Sequence, residues 1–304
     1  MSSQVNPVRV LEELTLTAPF GVRFWDVATG APAEPGLKVT AFSPAVPELR
    51  FTAVANSRGV YSLSGLPGLR RFENSAGDDA SWAANPPAVA FTLQVEDPQQ
   101  RYLPFRFSAL LPFRGIYGLL ASPVSNALTP DATWIPIFST PSRTVGGPSA
   151  VIHAQLAELK ANLRWVPASW AMVTAQFQGS PVATGIADGG GIISLIAPYP
   201  EPLNASLPSP ITSPLGAGRG KLTDQNWPVT VSVFYTPGLD PKRLPDLAVL
   251  LGQPAASAWR DTNHSTPAGG FTVQYGKDLV LRSLDAASGR ELPVLLITPA
   301  GSPL

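Results

Sequence analysis

The chain has no cysteine, only two histidines and few charged residues, and each shortage excludes a class of site. Without cysteine there are no disulfides, thiolate nucleophiles, or Cys-based zinc or iron–sulfur sites. His153 and His264 are far apart in the sequence and cannot form a metal site by themselves. Charged residues make up 14% of the 304 residues, against roughly 25% in an average soluble domain. A surface with so few charges is typical of a protein covered by partners, so we expect partner contacts.

The chain also lacks an excess of either charge and any long apolar run. The 21 basic and 21 acidic residues give a net charge of +0, and no basic stripe suits a phosphate backbone, so we expect no nucleic-acid partner. No run approaches the roughly 18 apolar residues of a membrane-spanning helix. The first ten residues do not follow the pattern of a secretory signal. We therefore expect cytoplasmic synthesis and no direct membrane insertion.

Proline and glycine are abundant instead. The chain contains 34 prolines and 26 glycines, which disfavour long helices and favour turns and edge strands. Hydrophobic residues make up 44% of the chain, enough to build sizeable cores. Residues 91–96 and 229–235 alternate apolar and polar side chains, which predicts half-buried strands. Short strands of this kind, with turn signals every roughly 8–12 residues, are typical of β-sandwiches.

One turn motif occurs twice and organises the chain. Residues 56–59 read Asn-Ser-Arg-Gly, which predicts a tight turn because asparagine and glycine tolerate a positive φ. A short strand, Val-Tyr-Ser-Leu, follows and ends in a turn containing glycine and proline. About 130 residues later, residues 187–200 repeat this order as Ala-Asp-Gly-Gly-Gly-Ile-Ile-Ser-Leu-Ile-Ala-Pro-Tyr-Pro. We interpret the two segments as copies of one small β-domain.

Residues 22–68 carry a resemblance to a known family. Their order is Val22-Arg-Phe-Trp-Asp-Val-Ala-Thr-Gly-Ala-Pro, then Gly36-Leu-Lys-Val, then the motif that begins at Asn56. This order resembles the carboxypeptidase regulatory-like, or prealbumin-like, β-sandwich, in which D-x-x-T-G-x-P precedes a G-x-Y segment. The match covers about 50 residues and mostly encodes turns. The resemblance implies a non-catalytic domain that supports neighbouring domains and binds partners or glycans.

Together these patterns predict an all-β chain of two Ig-like or prealbumin-like β-sandwich domains with extended N- and C-terminal arms. The predicted parts are an N-terminal arm (1–15), a first β-sandwich (16–115), a linker (116–142), a second β-sandwich (143–238) and a C-terminal extension with a β-hairpin and a terminal strand (239–304). The apolar terminal strand either completes a sheet of this chain or adds to a sheet of a neighbouring subunit.

No residue pattern for catalysis, a cofactor or a metal is present. The glycines at 189–191 are not followed by Lys-Ser/Thr and a helix, so they do not form a phosphate loop. Asp78, Asp79 and Glu73 lack the alternating spacing of a calcium loop. An enzyme would need carboxylates that converge in a cleft, and adjacency in the sequence does not predict this. We therefore expect no enzyme, no cofactor and no metal site.

The candidate partner-binding residues are three tryptophans and part of the terminal strand. They are Trp82, Trp165, Trp259, Leu295, Leu296 and Ile297. Trp82 ends the most charged loop of the first domain and either anchors a partner or folds back over the sandwich. Trp165 and Trp259 have polar, proline-rich neighbours, so they are the tryptophans best suited to stack on a glycan or a partner.

The overall pattern favours a subunit of a large particle that is assembled in the cytoplasm. Trp227-Pro-Val-Thr-Val and the ending Leu295-Leu-Ile-Thr-Pro-Ala-Gly-Ser-Pro are similar to proteins of phage-tail-like contractile injection systems, which lysis releases from the cell. The resemblance implies a non-catalytic structural subunit, at the cap or cap-adaptor end, that forms a homo-oligomer or ring and contacts other subunits. We expect it to assemble through contacts of its β-sandwiches and through addition of its terminal strand to a neighbouring subunit. The alternatives are a baseplate- or fibre-associated subunit, or a glycan- or surface-binding module.

Overall fold

The computed structural model of the chain describes residues 17–84, 88–119, 128–144, 146, 148–160, 164–200, 223 and 225–301. The first sandwich contains, in chain order, β1 (Phe20–Asp26), β2 (Ala31–Pro32), β3 (Lys38–Ser43), β4 (Val46–Thr52), β5 (Val54–Ala55), β6 (Tyr61–Leu63), α1 (Arg70–Glu73), α2 (Asp79–Ala83), β7 (Val89–Glu96), β8 (Phe105–Leu111) and β9 (Trp134–Ile137).

Alternating side chains build the first sandwich. Every second residue of β1 and of β8 is buried, so each strand has one core face. One sheet has the antiparallel order β4-β3-β7-β8; the other has the order β2-β1-β6-β5, with β9 parallel to β1. Between the sheets lie the fully buried rings of Phe20, Phe24, Phe91 and Phe107. Burial of each such ring stabilises the fold by roughly 1.5–3 kcal/mol.

The second sandwich takes its strands from the rest of the chain. They are β10 (Ser149–Leu159), β11 (Trp165–Pro167), β12 (Met172–Phe177), β13 (Ser180–Ile186), β14 (Ile192–Pro198), β15 (Asn226–Phe234), β16 (Ala255–Trp259), β17 (Gly270–Gln274), β18 (Leu279–Leu281) and β19 (Leu295–Thr298), with the short helix α3 (Leu247–Leu251) after β15.

Two long strands form the centre of the second sandwich. β10 lies between β14 and β18 along its first half, and between β11 and β19 along its second half. β15 lies between β12 and β17 and then between β12 and β16, and β13 extends this sheet beyond β12. β16 also pairs with β19, so the two sheets are hydrogen-bonded to each other along one side. The core between them includes the fully buried Trp227.

The two sandwiches share a hydrophobic core. Trp170, Met172 and Ile186 come from the second sandwich but lie in the buried cluster of the first, together with the three buried leucines of α3. Trp170 has φ +63°, a left-handed conformation that bulky residues rarely adopt. The amide of Arg106 on β8 donates a hydrogen bond to the carbonyl of Pro245, 2.9 Å away. Close packing on both sides of this joint resists bending between the sandwiches.

The predicted connecting segments are incorporated into the sheets. The N-terminal arm lies outside the described residues, as do residues 120–127 of the predicted linker and 302–304 of the predicted extension. Within the predicted linker, β9 pairs with β1 and so belongs to the first sandwich. The predicted C-terminal β-hairpin is corrected: β17 pairs with β15 and β18 pairs with β10. The separation lets both strands bury an apolar residue in the core, Val273 and Leu281.

The prediction of an all-β, sandwich-forming chain is confirmed. The helices among the described residues are short and lie at connections, as the proline and glycine content predicts. In the described ranges, no helix is both long and apolar enough to cross a lipid bilayer.

Candidate partner-binding site

The duplicated motif forms the same turn in both sandwiches. The side-chain oxygen of Asn56 accepts hydrogen bonds from the amides two and four residues later, at 2.9 and 3.0 Å. Asp188 accepts the equivalent two bonds, at 2.8 and 2.9 Å. The third residue after each is a glycine in the left-handed region, Gly59 with φ +74° and Gly191 with φ +76°. The motif therefore has a structural role, which is to reverse the chain before β6 and before β14.

Two more copies of this turn are present that we did not predict from the sequence. Asp97 and Asp261 accept hydrogen bonds from the amides two and four residues later. The left-handed position is occupied by Gln100 (φ 56°) in one and His264 (φ 55°) in the other. Because neither position is a glycine, a search for Asn/Asp followed by glycine misses both. The detectable signal is the aspartate at the end of an alternating segment.

The D-x-x-T-G segment of the family resemblance also occurs twice. Asp26 accepts hydrogen bonds from the amide of Ala28 (3.0 Å) and the hydroxyl of Thr29 (2.8 Å). Asp285 accepts the equivalent hydroxyl bond from Ser288, and Gly289 follows with φ 69°. The second copy reads Asp-Ala-Ala-Ser-Gly, so allowing serine in place of threonine would have found it.

Asp26 is the centre of a buried charged cluster in the first sandwich. Its carboxylate pairs with the guanidinium of Arg143 at 2.7 Å and accepts a hydrogen bond from the hydroxyl of Tyr102 at 3.3 Å. Burial lowers the pKa of Arg143, but the hydrogen bond and the charge of Asp26 outweigh burial and raise it. Burial raises the pKa of Tyr102. The cluster thereby attaches the segment after β9 to the turn after β1.

A neighbouring ion pair extends this cluster. Asp97 and Arg101 are bonded at 2.8 Å, and Arg101 also reaches Glu34 at 2.9 Å. Burial raises the pKa of the Asp97 carboxyl, but the hydrogen bonds that it accepts from Arg101 and from the amide of Gln99 outweigh burial, so the pKa is lowered overall. In the second sandwich, burial and then the Glu158 carboxylate, 3.3 Å from the phenol, raise the pKa of Tyr235. All these charged and phenolic groups are bonded to other groups of the same chain, so their arrangement stabilises the fold.

Trp82 lies on α2 and folds back toward the sandwich. Its ring makes an edge contact with the buried Phe72 of α1, with the centroids 4.6 Å apart. α2 begins at the N-cap Asp78, whose carboxylate accepts a hydrogen bond from the amide of Ser81. That bond lowers the pKa of Asp78. Of the acidic residues of this loop, Asp78 thus caps a helix, Asp79 pairs with Arg114, and Glu73 accepts a hydrogen bond from the amide of Leu66. Trp82 is half-buried, so only part of its ring is open to a partner.

Three of the predicted residues lie on one face of one sheet. Trp165 is directly opposite Leu159, and Leu296 is directly opposite Trp259. Because side chains opposite each other share a face, and Leu296 pairs with Ala157 two residues before Leu159, all of these project to the same side. The two tryptophans stand on strands three positions apart, roughly 14 Å at the usual strand spacing. We call this surface the tryptophan face.

Only the edge of the tryptophan face is open. Trp165 is 38% exposed on the edge strand β11. Trp259 is half-buried: its ring stacks on His264, with the centroids 5.2 Å apart, and its indole N–H donates to the hydroxyl of Thr298 at 2.9 Å. Leu296 is fully buried in a small cluster with Ala157 and Val294. Trp165 is therefore the predicted residue that is best placed to contact a partner.

The terminal strand pairs within the chain. β19 lies between β10 and β16, and Leu295 and Ile297 project into the core of the second sandwich, where they are fully buried. Of the two alternatives that the sequence left open, the strand therefore takes the first and completes a sheet of its own chain, so the three residues are not open to add a strand to a neighbouring subunit. The apolar run that made the strand suitable for a partner makes it equally suitable for a core position in its own sheet.

A groove between the sandwiches contains aromatic residues that were not among the predicted site residues. Its volume is about 480 Å³, and its walls include Trp25, Met172 and Phe234. The ring of Trp25 is edge-on to Trp134, at 5.3 Å, and the guanidinium of Arg23 lies 4.0 Å from the centre of the Trp134 ring. These residues meet only because β9 pairs with β1.

In the described ranges, no group of three or more metal-ligating His, Cys, Asp or Glu side chains occurs. No protein-family model and no curated protein matches the chain. Among solved structures, the chain is similar to the TIE protein of Bacillus anthracis, with a TM-score of 0.24 and 7% identity. The similarity covers 86% of this chain and 33% of that one, so the chain spans about a third of the length of the structure it matches. A likeness at this level assigns neither a family nor a function.

Proposed function

We propose that the chain is a non-catalytic structural subunit of a phage-tail-like contractile injection particle, at the cap or cap-adaptor end. The observation that carries this proposal is the shared core of the two sandwiches, in which Trp170 and the leucines of α3 join the cluster of the first sandwich. Two sandwiches that share a core in this way act as a rigid bracket. A rigid bracket is suited to hold neighbouring subunits at a fixed spacing.

The buried ion pair between Asp26 and Arg143 supports the same role. It ties the segment that leads into the second sandwich to the first turn of the chain, at 2.7 Å. A protein whose two halves move to bind a ligand has little use for such a constraint. In a bracket, the constraint keeps the contact surfaces of both halves in register.

The partner contacts of the bracket use side chains on its surface rather than its last strand. Trp165 is the first candidate, because a partly exposed tryptophan at a sheet edge gives a large apolar contact at low entropic cost. Removing residues 292–304 would delete β19 from the middle of a sheet. Such a truncation tests whether the second sandwich folds, and it does not test whether the terminal strand adds to a neighbouring subunit.

The proposal is tested by measuring the mass of the purified chain in solution by light scattering, alone and with the products of its neighbouring genes. We expect a complex with a particle component, and a tag on the chain should appear at the cap end in electron micrographs. Label at the baseplate or on fibres would favour that alternative position. Particles of normal number and length in cells without the chain would contradict the proposal.

A glycan- or surface-binding module is the second candidate, favoured by the exposure of Trp165. Binding of the purified chain to a glycan array, lost in Trp165→Ala, would support it. Leu110→Ala is a matched control, because Leu110 is an exposed apolar residue on the other sandwich. Equal binding by both variants would show that the tryptophan is not the stacking platform.

A further inference from the structure

Most edge strands of this chain are blocked by proline. An edge strand presents unpaired amides and carbonyls to any other strand, and proline removes an amide and discourages such pairing. Prolines occur in the edge strands β2, β4, β9, β11, β13 and β14. β8 has no proline, but the carbonyl of Pro245 accepts its Arg106 amide. β5 and β18 also lack proline, but they are only two and three residues long.

β17 is the longest of these three proline-free edge strands in the described ranges. It reads Gly-Phe-Thr-Val-Gln and contains neither proline nor a charged residue. Within the described ranges β17 pairs only with β15, so its other side has no strand partner. Gly270 and Thr272 are exposed. β17 is thus an uncharged, accessible edge of the kind that accepts another strand.

The backbone groups that face outward can be assigned from the register. The amide of Tyr275, just after β17, donates to the carbonyl of Gln225. Hydrogen-bonded pairs alternate along an antiparallel ladder, so residues 273 and 271 also face β15. The amides and carbonyls of Gly270 and Thr272, and the amide of Gln274, therefore lie in the plane of the sheet and point away from β15, towards the side of β17 without a strand partner.

We propose that β17 pairs antiparallel with β17 of a second copy of this chain, about a two-fold axis at Thr272. In this register Thr272 is opposite its own copy, Phe271 is opposite Val273, and Gly270 is opposite Gln274. The outward groups of one strand then meet the outward groups of the other. The strand is self-complementary: threonine pairs with threonine on one face, two apolar residues pair on the other, and no like charges meet.

This pairing joins two brackets through one continuous sheet. The pairing deepens the proposed function and rests on it in one respect only, namely that the two copies meet within a particle. Val273 and Phe271 already pack on the core of the second sandwich, so the added strand would continue that core face.

The test uses charge at the position that lies on the two-fold axis. Thr272→Lys and Thr272→Glu place like charges opposite each other in a homodimer, and the exposed side chain of Thr272 makes both changes tolerable to the fold. By analytical ultracentrifugation of the full chain, we expect a wild-type dimer and about tenfold weaker dimerisation for each variant alone. An equimolar mixture of the two should regain dimerisation, because lysine then faces glutamate.

Thr272→Ala is the matched control and should dimerise like the wild type. Far-UV circular dichroism and the melting temperature of each variant show whether it is folded. A wild-type chain that stays monomeric at all concentrations, or a dimer that neither charge variant weakens, would overturn the proposal. A chain that stays monomeric but binds a particle component would overturn the proposed dimer and leave the proposed function standing. A chain that forms the dimer but binds no particle component would support the dimer and contradict the proposed function.

Discussion

The buried pair of Asp26 and Arg143 allows a quantitative prediction about what joins the chain together. The change is Arg143→Met, which keeps a flexible side chain of similar length and removes the charge. Asp26 is 1% exposed, and its partner guanidinium is 2.7 Å away. Without that partner the carboxylate remains buried, with hydrogen bonds from the turn after β1 and from Tyr102.

The magnitude follows from the desolvation of the carboxylate that is left behind. Removing one partner of a buried ion pair typically costs about 3–5 kcal/mol, because the other charge loses its compensation. Arg143 also lies over the ring of Tyr102, 4.5 Å from its centre, and this contact adds about 0.5–2 kcal/mol. The hydrogen bonds that remain on Asp26 lessen the loss, so we expect about 3–5 kcal/mol in total.

The assay is urea unfolding followed by tryptophan fluorescence, with the free energy of unfolding taken from the midpoint and slope. Arg243→Met is a matched control, because Arg243 pairs with Asp240 on the surface and its side chain is 82% exposed. We expect almost no change in that variant. The double variant Asp26→Asn with Arg143→Met should recover part of the loss, because it leaves no buried charge unpaired.

A loss of less than about 1 kcal/mol for Arg143→Met would refute the reasoning. It would mean that the carboxylate is hydrated or that the turn alone satisfies it. Equal losses in the Arg143 and Arg243 variants would also contradict it, because burial would then make no difference.

Three further changes test other parts of the fold. Gly191→Ala should cost several kcal/mol more than Gly59→Ala in urea unfolding: both glycines have a positive φ, but only at Gly191 would the added Cβ meet a backbone carbonyl oxygen, 2.5 Å away. Leu296→Ala should lower the free energy of unfolding by about 2–5 kcal/mol and Leu110→Ala by almost nothing, because the first residue is fully buried and the second is exposed. The pKa of Asp97 is lowered in the folded state, so its ionised carboxylate stabilises the fold fully above the unfolded pKa of about 3.9, and this stabilisation is lost as the pH falls through the folded pKa. The urea midpoint should therefore fall further between pH 6 and pH 3 in the wild type than in Asp97→Asn.

The predicted strands show which parts of the fold are encoded locally. The alternation at residues 91–96 and 229–235 corresponds to β7 and β15, because a strand between a core and solvent needs a period of two. The duplicated turns were recognisable because Gly59 and Gly191 occupy a conformation that glycine adopts without strain. Gln100 and His264 occupy the same conformation at some cost in strain, so their turns were missed.

The candidate site was only partly predictable. Trp165 is 38% exposed, whereas Trp259 is half-buried and Leu296 is fully buried, although all three have the same hydrophobic character. Exposure depends on what folds over a side chain, and the segment that brings His264 onto Trp259 is set by the turn at Asp261. The contact between Trp25 and Trp134 was not predictable, because more than a hundred residues separate them and only strand pairing brings them together.

The amino-acid sequence by itself determined the all-β class, the position of the main turns, and the absence of thiol chemistry. These properties depend on residue type and on spacing over a few neighbours. The tertiary structure decided that β19 is inserted between β10 and β16, that the two sandwiches share a core through Trp170, and that one side of β17 has no strand partner among the described residues. An apolar strand satisfies any sheet with a free edge and a matching face, so its place depends on the competition among distant partners for the same buried surface.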